Sequence, residues 1–505
     1  MAIDSAVARW KTLDRIATVF CMTTTQPLPY DEIPMLPDGL GLGPTLLFRR
    51  DRYAFMMKLS TGAPLCRVQL FDRKVALVTG ALEIQQLLVE NAGSLAKSAV
   101  QKLVGYPVLG DGLLGSSGEL WRKQRKLMAP IFTPAQIAGY GTDMMQCAAR
   151  EMATYVDGSL LDVTQSMTRL TMSVAGKTLF GADTCSEADE IGRALAVAIR
   201  LFGKLSGSPL SFLQVAVKDG LSRLSQHLPD ALASFVDKGV QQLESPILFG
   251  QESADLDQAV ALLDKYVADL IAKRRQSPDA SHDLLTRLLA ARDGADQMTD
   301  KQLRDEVLTL FVAGHETTAV SLSWSLYLLA KHPEIYSDVQ QLVDSLPAEP
   351  TVADLPKLGK VLRVFKEALR IYPPLPLFSR DTTASIVVGG YEIPAGTPVL
   401  IAPLGTHHRP ELWPDSQRFL PDRFLPEQES QRHRYAFIPF SAGPRVCIGN
   451  HFAMMEAQLV LTTLLRNYEF SLPEGTVVVP EIDSALRPKE GLHMRIKRRT
   501  PRPAN

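Results

Sequence analysis

The chain has 505 residues, 46% hydrophobic and 22% charged, and its 54 Lys and Arg almost balance its 55 Asp and Glu. A net charge of −1 argues against a dedicated nucleic-acid binder, and the length allows a large core. Five cysteines (Cys21, Cys66, Cys147, Cys185 and Cys447) form no C-x-x-C pair, which argues against a disulfide scaffold or zinc module and for a reducing compartment.

Residues 1–60 carry prolines at 27, 29, 34, 37 and 44 and read as irregular. P-D-G-L-G-L-G-P (37–44) follows no strand and opens no helix, so it reads as a proline-bounded turn. No apolar run near the start is long enough for a signal peptide or membrane anchor. C-R-V-Q-L-F-D-R-K-V-A-L-V-T-G (66–80) predicts a β-hairpin turning at Asp72-Arg73. From about 82 to 345 the pattern is helical, broken by loops at 105–118, 204–210, 245–256 and 276–283.

The best-defined helix starts at Thr299, where Gln302 completes a capping box, and runs to His332, stopped by Pro333. Its stretch 307–330 has the length of a membrane span, yet His315 and Glu316 at the midpoint are costly in lipid. A buried helix crossing a large protein explains it better. A second helix, 358–372, ends at Pro373-Pro374, and 386–401 reads as strands with turns at Gly389-Gly390 and Ala395-Gly396. The stretch 402–446 reads as loop, 448–467 as helix and 490–499 as a last strand. The fold class is mainly α with a smaller β-rich part: an N-terminal segment, 1–60, and one large domain, 61–505.

F-S-A-G-P-R-V-C-I-G-N (440–450) places Cys447 just before a helix, whose unpaired N–H groups favour a thiolate. Gly443 permits a sharp turn, Gly449 lets a flat group approach the backbone, and Arg445 suits a carboxylate. One thiolate cannot build a zinc site, but it can be the single axial ligand of a haem, with Arg445 on a propionate. The plainer alternative is a buried structural cysteine beside a loop arginine. In A-G-H-E-T-T (313–318), Gly314 leaves room for a small ligand, and Glu316-Thr317 puts an acid and a hydroxyl on an apolar helix. Thr317 can bond back to the Ala313 carbonyl. H-E-T-T-A lacks the second histidine of a zinc H-E-x-x-H, so His315 reads as packing or capping locally.

Phe440, Gly443, Arg445, Cys447 and Gly449 spell F-x-x-G-x-R-x-C-x-G, which resembles the haem-binding loop of the cytochrome P450 family. Ala313 to Thr317 resemble the family's oxygen-side helix. Glu367 and Arg370, followed by Arg423 in P-D-R-F, are similar to its E-x-x-R pair and the arginine that completes a structural ion triad. Asp422 stands where the family often has glutamate, and Glu119 with Arg122 matches E-x-x-R equally well by spacing. Trp121 and Arg125 resemble the W-x-x-x-R helix that donates to haem propionates, and Arg380 is a further propionate candidate.

The resemblance spans roughly residues 60–500. It implies the cytochrome P450 fold and a soluble, cytoplasmic, bacterial-type monomeric haem-thiolate monooxygenase, with peripheral membrane contact left open. Cys447 would ligate the iron and Glu316 with Thr317 would deliver protons. Electrons would come from a separate ferredoxin or flavoprotein, and Arg122, Lys123 and Lys126 could face that partner. Leu375, Leu377, Phe378 and Leu486 predict an apolar pocket for a fatty acid, terpenoid or other lipophilic metabolite. A peroxide-using haem-thiolate enzyme and a non-enzymatic haem-binding sensor are the alternatives.

Overall fold

A computed structural model describes residues 26–36, 43–70, 73–181, 188–276, 283–291, 297–347 and 350–500. Its axis is a 32-residue helix, Asp300–Lys331, about 48 Å long. Thr299 Oγ1 accepts from Gln302 N at 3.2 Å while Gln302 Oε1 accepts from Thr299 N at 2.9 Å, so both orphan donors are satisfied as the capping box predicts. Pro333 cannot continue the ladder and instead opens the next helix, Pro333–Asp344. Apolar side chains cover the central helix on nearly every side, and Ser321, Ser323 and Ser325 bond back to carbonyls four residues earlier, which lets them be buried. The helix Val163–Phe180 packs along it, with Phe180 stacked on Phe311 at 4.3 Å and Thr171 Oγ1 donating to the His315 carbonyl at 2.9 Å. Among the described residues no helix is long and apolar enough to cross a membrane.

The β-rich part lies to one side. In chain order its strands are β1 (Leu65–Leu70), β2 (Arg73–Val78), β3 (Leu95–Lys97), β4 (Leu160–Asp162), β5 (Phe378–Thr382), β6 (Ile386–Val388), β7 (Tyr391–Ile393), β8 (Pro398–Ile401), β9 (Tyr468–Ser471), β10 (Pro480–Ile482), β11 (Leu486–Pro488) and β12 (His493–Arg498). The main sheet runs β1-β2-β8-β5-β3. The hairpin β1–β2 is antiparallel, as its alternation predicts, although residues 71 and 72 of its turn lie outside the described residues. Pairing of β3 with β5 sets Lys97 opposite Arg380, which matters below. The turns at Gly389-Gly390 and Gly396 have positive φ, as their glycines allow.

Several expectations need correction. Residues 43–59 form two helices, Gly43–Arg50 and Arg52–Leu59, where an irregular segment was expected. The prolines stop at 44, and Asp51 caps the second helix by accepting from Ala54 N at 2.8 Å. P-D-G-L-G-L-G-P therefore does lead into a helix, its residues 37–42 lying outside the described residues. The loop expected at 105–118 begins only at 110. The helix Ala99–Leu109 absorbs Pro107, and Arg304 donates to the carbonyls of Pro107 and Val108 near its end. The loops at 204–210 and 245–256 shrink to 207–208 and 243–250, and residues 277–282 of the fourth lie outside the described residues. The helix after the cysteine begins at Asn450, two residues later than expected.

Candidate functional site

A buried ion pair stands behind the segment that leads into the cysteine loop. Glu367 and Arg370, both fully buried on the helix Gly359–Ile371, meet with Nε to Oε2 at 2.7 Å and Nη2 to Oε1 at 2.8 Å. Arg370 also donates to the carbonyls of His407, Ser416 and Arg418, and Glu367 accepts from Leu420 N. The pair therefore clamps the loop 407–420 from inside. That loop passes the order on: His407 Nε2 accepts from Ile438 N at 2.9 Å, and Trp413 Nε1 donates to Ala436 O at 3.2 Å. Arg423 Nε lies 3.4 Å from Glu367 Oε1, an ion pair without hydrogen-bond geometry, while its Nη2 donates to Asp415 O. Asp422 pairs with Arg363 at 3.2 Å. The sequence match at Glu119 and Arg122 is an ion pair on the exposed surface.

Within the loop, Cys447 N donates to Phe440 O at 2.9 Å. Gly443 has φ +69, and a Cβ there would lie 1.9 Å from Leu88 O, so only glycine fits this turn. Cys447 opens onto free space although protein encloses it deeply. Burial pushes its thiol up, against a Gly449 N–H bond and the nearby Arg125 that pull it down. The helix start and burial therefore act on this sulfur in opposite directions. A coordinating metal deprotonates a thiol outright.

Beside the sulfur lies a cluster of cations. Arg445 stacks over the Trp121 ring at 4.3 Å and donates to Ser116 O at 3.1 Å. Arg380 donates to Ser379 O, and burial with the nearby Arg445 pushes it down to about 10. Burial likewise lowers Arg445 to about 10. Lys97, which no motif singled out, is driven well down by burial and by those same two arginines. Arg125 is lowered by burial and raised by Cys447. Among the described residues Lys97, Arg125, Arg380 and Arg445 form no ion pair with a carboxylate. A group of four cations near an open sulfur, Arg380 buried and the other three partly so, fits a haem, whose propionates would be their partners.

The middle of the central helix opens as well. Ala313 is exposed although its helix is otherwise core, and a Cβ on Gly314 would touch nothing within 4 Å. A Cβ on Gly449 would also meet open space. Thr317 Oγ1 bonds back to Ala313 O at 2.8 Å, as expected. Glu316 is largely buried, and desolvation raises its carboxyl while a bond from Ser484 Oγ, 3.0 Å from its Oε1, opposes the rise. His315 is buried with Nδ1 against Phe311 O, a local packing role.

Of the predicted pocket residues, Leu377 and Leu486 share one apolar cluster, Phe378 packs in a second, and Leu375 belongs to neither. Leu375 is 44% exposed. Leu377 packs against the cluster of Phe55, Met56 and Leu59, while Phe378 packs against the β-side core under Arg380. Leu486 is fully enclosed in the Phe55 cluster, its main chain held by Trp324 Nε1 and Pro374 O. Ser484, two residues before it, reaches the central helix. Sequence reasoning missed Lys97, which the register of β3 on β5 reveals.

A family model described as Cytochrome P450 matches residues 34–495. The chain is 32% identical to cyclooctatin synthase of Streptomyces melanosporofaciens, over 89% of this chain and 92% of that one. It is 30% identical to cyclooctat-9-en-7-ol 5-monooxygenase of the same organism, over 86% and 89%. Human cytochrome P450 4V2 is 27% identical over 98% and 92%. The crystal structure of the cytochrome P450DA heme domain superposes with a TM-score of 0.78 at 24% identity, covering 94% of this chain and 99% of that one.

Proposed function

The chain belongs to the cytochrome P450 family, and on that premise we propose that it is a haem-thiolate monooxygenase inserting one atom of O2 into a lipophilic small molecule. Haem iron with a cysteine thiolate, once bound, supplies the activation of oxygen. Cys447 would be the thiolate. Trp121, Arg125, Arg380, Arg445 and Lys97 would hold the propionates, with Phe440, Gly443 and Gly449 shaping the loop against the ring.

The single observation that carries this reading is the open Cys447 sulfur beside four cations that, among the described residues, have no carboxylate partner. On the opposite side, Ala313 and Gly314 leave room for a small ligand. Glu316 and Thr317 hold and move protons there, and burial raises the Glu316 carboxyl, which favours its protonated form. Apolar neighbours on the central helix exclude bulk water. Electrons come from a separate ferredoxin or flavoprotein, and the placement is cytoplasmic. The relative named for cyclooctat-9-en-7-ol supports a lipophilic substrate of terpenoid kind over an ionic one.

The test is the ferrous carbon monoxide complex. Wild type is expected to give the strongly red-shifted band of thiolate ligation, and Cys447→Ala to lose it. Retention of the band in the variant would sink the assignment. Turnover with peroxide alone, and none with reductase and ferredoxin, would favour the peroxide-using alternative.

A further inference from the structure

Glu316 is not held by its own helix. Its Oε1 accepts from Ser484 Oγ at 3.0 Å, across 168 positions of sequence, and Ser484 belongs to the turn 483–485 between β10 and β11. That turn is fixed from several sides. Trp324 Nε1 donates to Leu486 O at 2.8 Å, Leu486 N donates to Pro374 O at 3.1 Å, and Asp483 N bonds Ala485 O at 3.2 Å. Arg52, from the helix Arg52–Leu59, reaches Asp483 O at 3.5 Å. Gly203, on the helix Ala188–Ser206, presses on the turn so closely that a Cβ would lie 2.3 Å from Asp483 Oδ1 and 2.9 Å from Ser484 N.

We propose that Ser484 is a positioning residue that fixes the Glu316 carboxyl at the distal side, so that the β10–β11 turn sets the orientation from which this acid donates protons. The proposal rests on the reading of Glu316 and Thr317 as the proton-moving pair.

The charges around Glu316 support a control exerted by the turn. Asp483 and Arg487 face it from the turn and β11, and they pair with each other at 3.2 Å. Arg487 stabilises the Glu316 carboxylate and Asp483 opposes it, so their effects partly cancel. Arg52 is engaged with the Asp483 carbonyl. On the central helix His315 is buried and bonded to Phe311 O, and from the helix Val163–Phe180 the Thr171 hydroxyl donates to the His315 carbonyl. Burial raises the carboxyl, and the Ser484 hydroxyl is the first-ranked influence opposing it. A hydroxyl that donates to the charged form favours that form, so removing it raises the proton affinity of Glu316 further.

The test is an infrared titration of the protonated-carboxyl band of the holoenzyme, assigned by its loss in Glu316→Gln. In Ser484→Ala that carboxyl is expected to bind its proton about tenfold more tightly, the effect of losing one hydrogen bond to a charged group. The pH profile of coupling between reductant and product should move up with it, and Ser484→Thr, which keeps the hydroxyl, should behave as wild type. A band and profile unmoved in Ser484→Ala, or moved equally in Ser484→Thr, would overturn the role of Ser484 while leaving the proton-moving pair intact. Unchanged coupling in Glu316→Gln would overturn the pair itself.

Discussion

Glu367 and Arg370 show how one spacing gives two outcomes. Glu119 and Arg122 share it, yet theirs is a surface pair between exposed side chains, of the kind that contributes about 0–1 kcal/mol. The buried pair is satisfied by each other and by backbone, so Glu367→Gln would leave Arg370 enclosed without a counter-charge. A loss of about 3–5 kcal/mol is expected, read as a drop in the denaturant midpoint. The distinction was legible from context, because K-E-A-L-R-I-Y-P-P is an apolar helix closed by prolines. The charge state of Cys447 was not legible. Sequence supplies the helix start, whereas the opposing effect is burial by residues distant in the chain.

At the scale of elements, the central helix was readable to its ends because its signals are local: a capping box, an apolar run and a proline. What the helix grips was not readable. Asp305 and Glu306, at its N-terminal end, accept from Asp111 N at 2.9 Å and Leu113 N at 3.0 Å and so pin the loop before Trp121. Gly112 sits so close that a Cβ would lie 2.2 Å from Thr309 Oγ1 and 2.6 Å from Asp305 O. Burial raises Glu306 from 4.5 to about 7, and its Oε1 has no donor among the described residues. The folded protein therefore holds more protons at this site than the unfolded chain between those values. Stability from this group falls as pH rises through that window and is highest below it. Glu306→Gln should flatten the fall, checked by thermal midpoints measured across the window in both proteins.

At the scale of the whole molecule, the residues that would border the candidate site come from both the helical mass and the β-rich side, at positions from 97 to 484. The mainly helical single fold was legible from composition and periodicity, because long periodic segments carry their own signal. The border was less so, since it is assembled from register and turns. Lys97, Arg125, Arg380 and Arg445 set a condition on how such a molecule comes into being. Gathering four like charges at one site works against folding, and among the described residues none of them pairs with a carboxylate to offset it. Maturation and cofactor capture then form one linked equilibrium. At a thousandfold excess over its dissociation constant, a ligand adds about 4 kcal/mol to the folded state. Calorimetry of the chain with and without haem should show a large gap in melting temperature, which Arg380→Gln narrows by relieving the cofactor-free form. Yield in a producing cell would accordingly follow the supply of haem as much as the rate of translation.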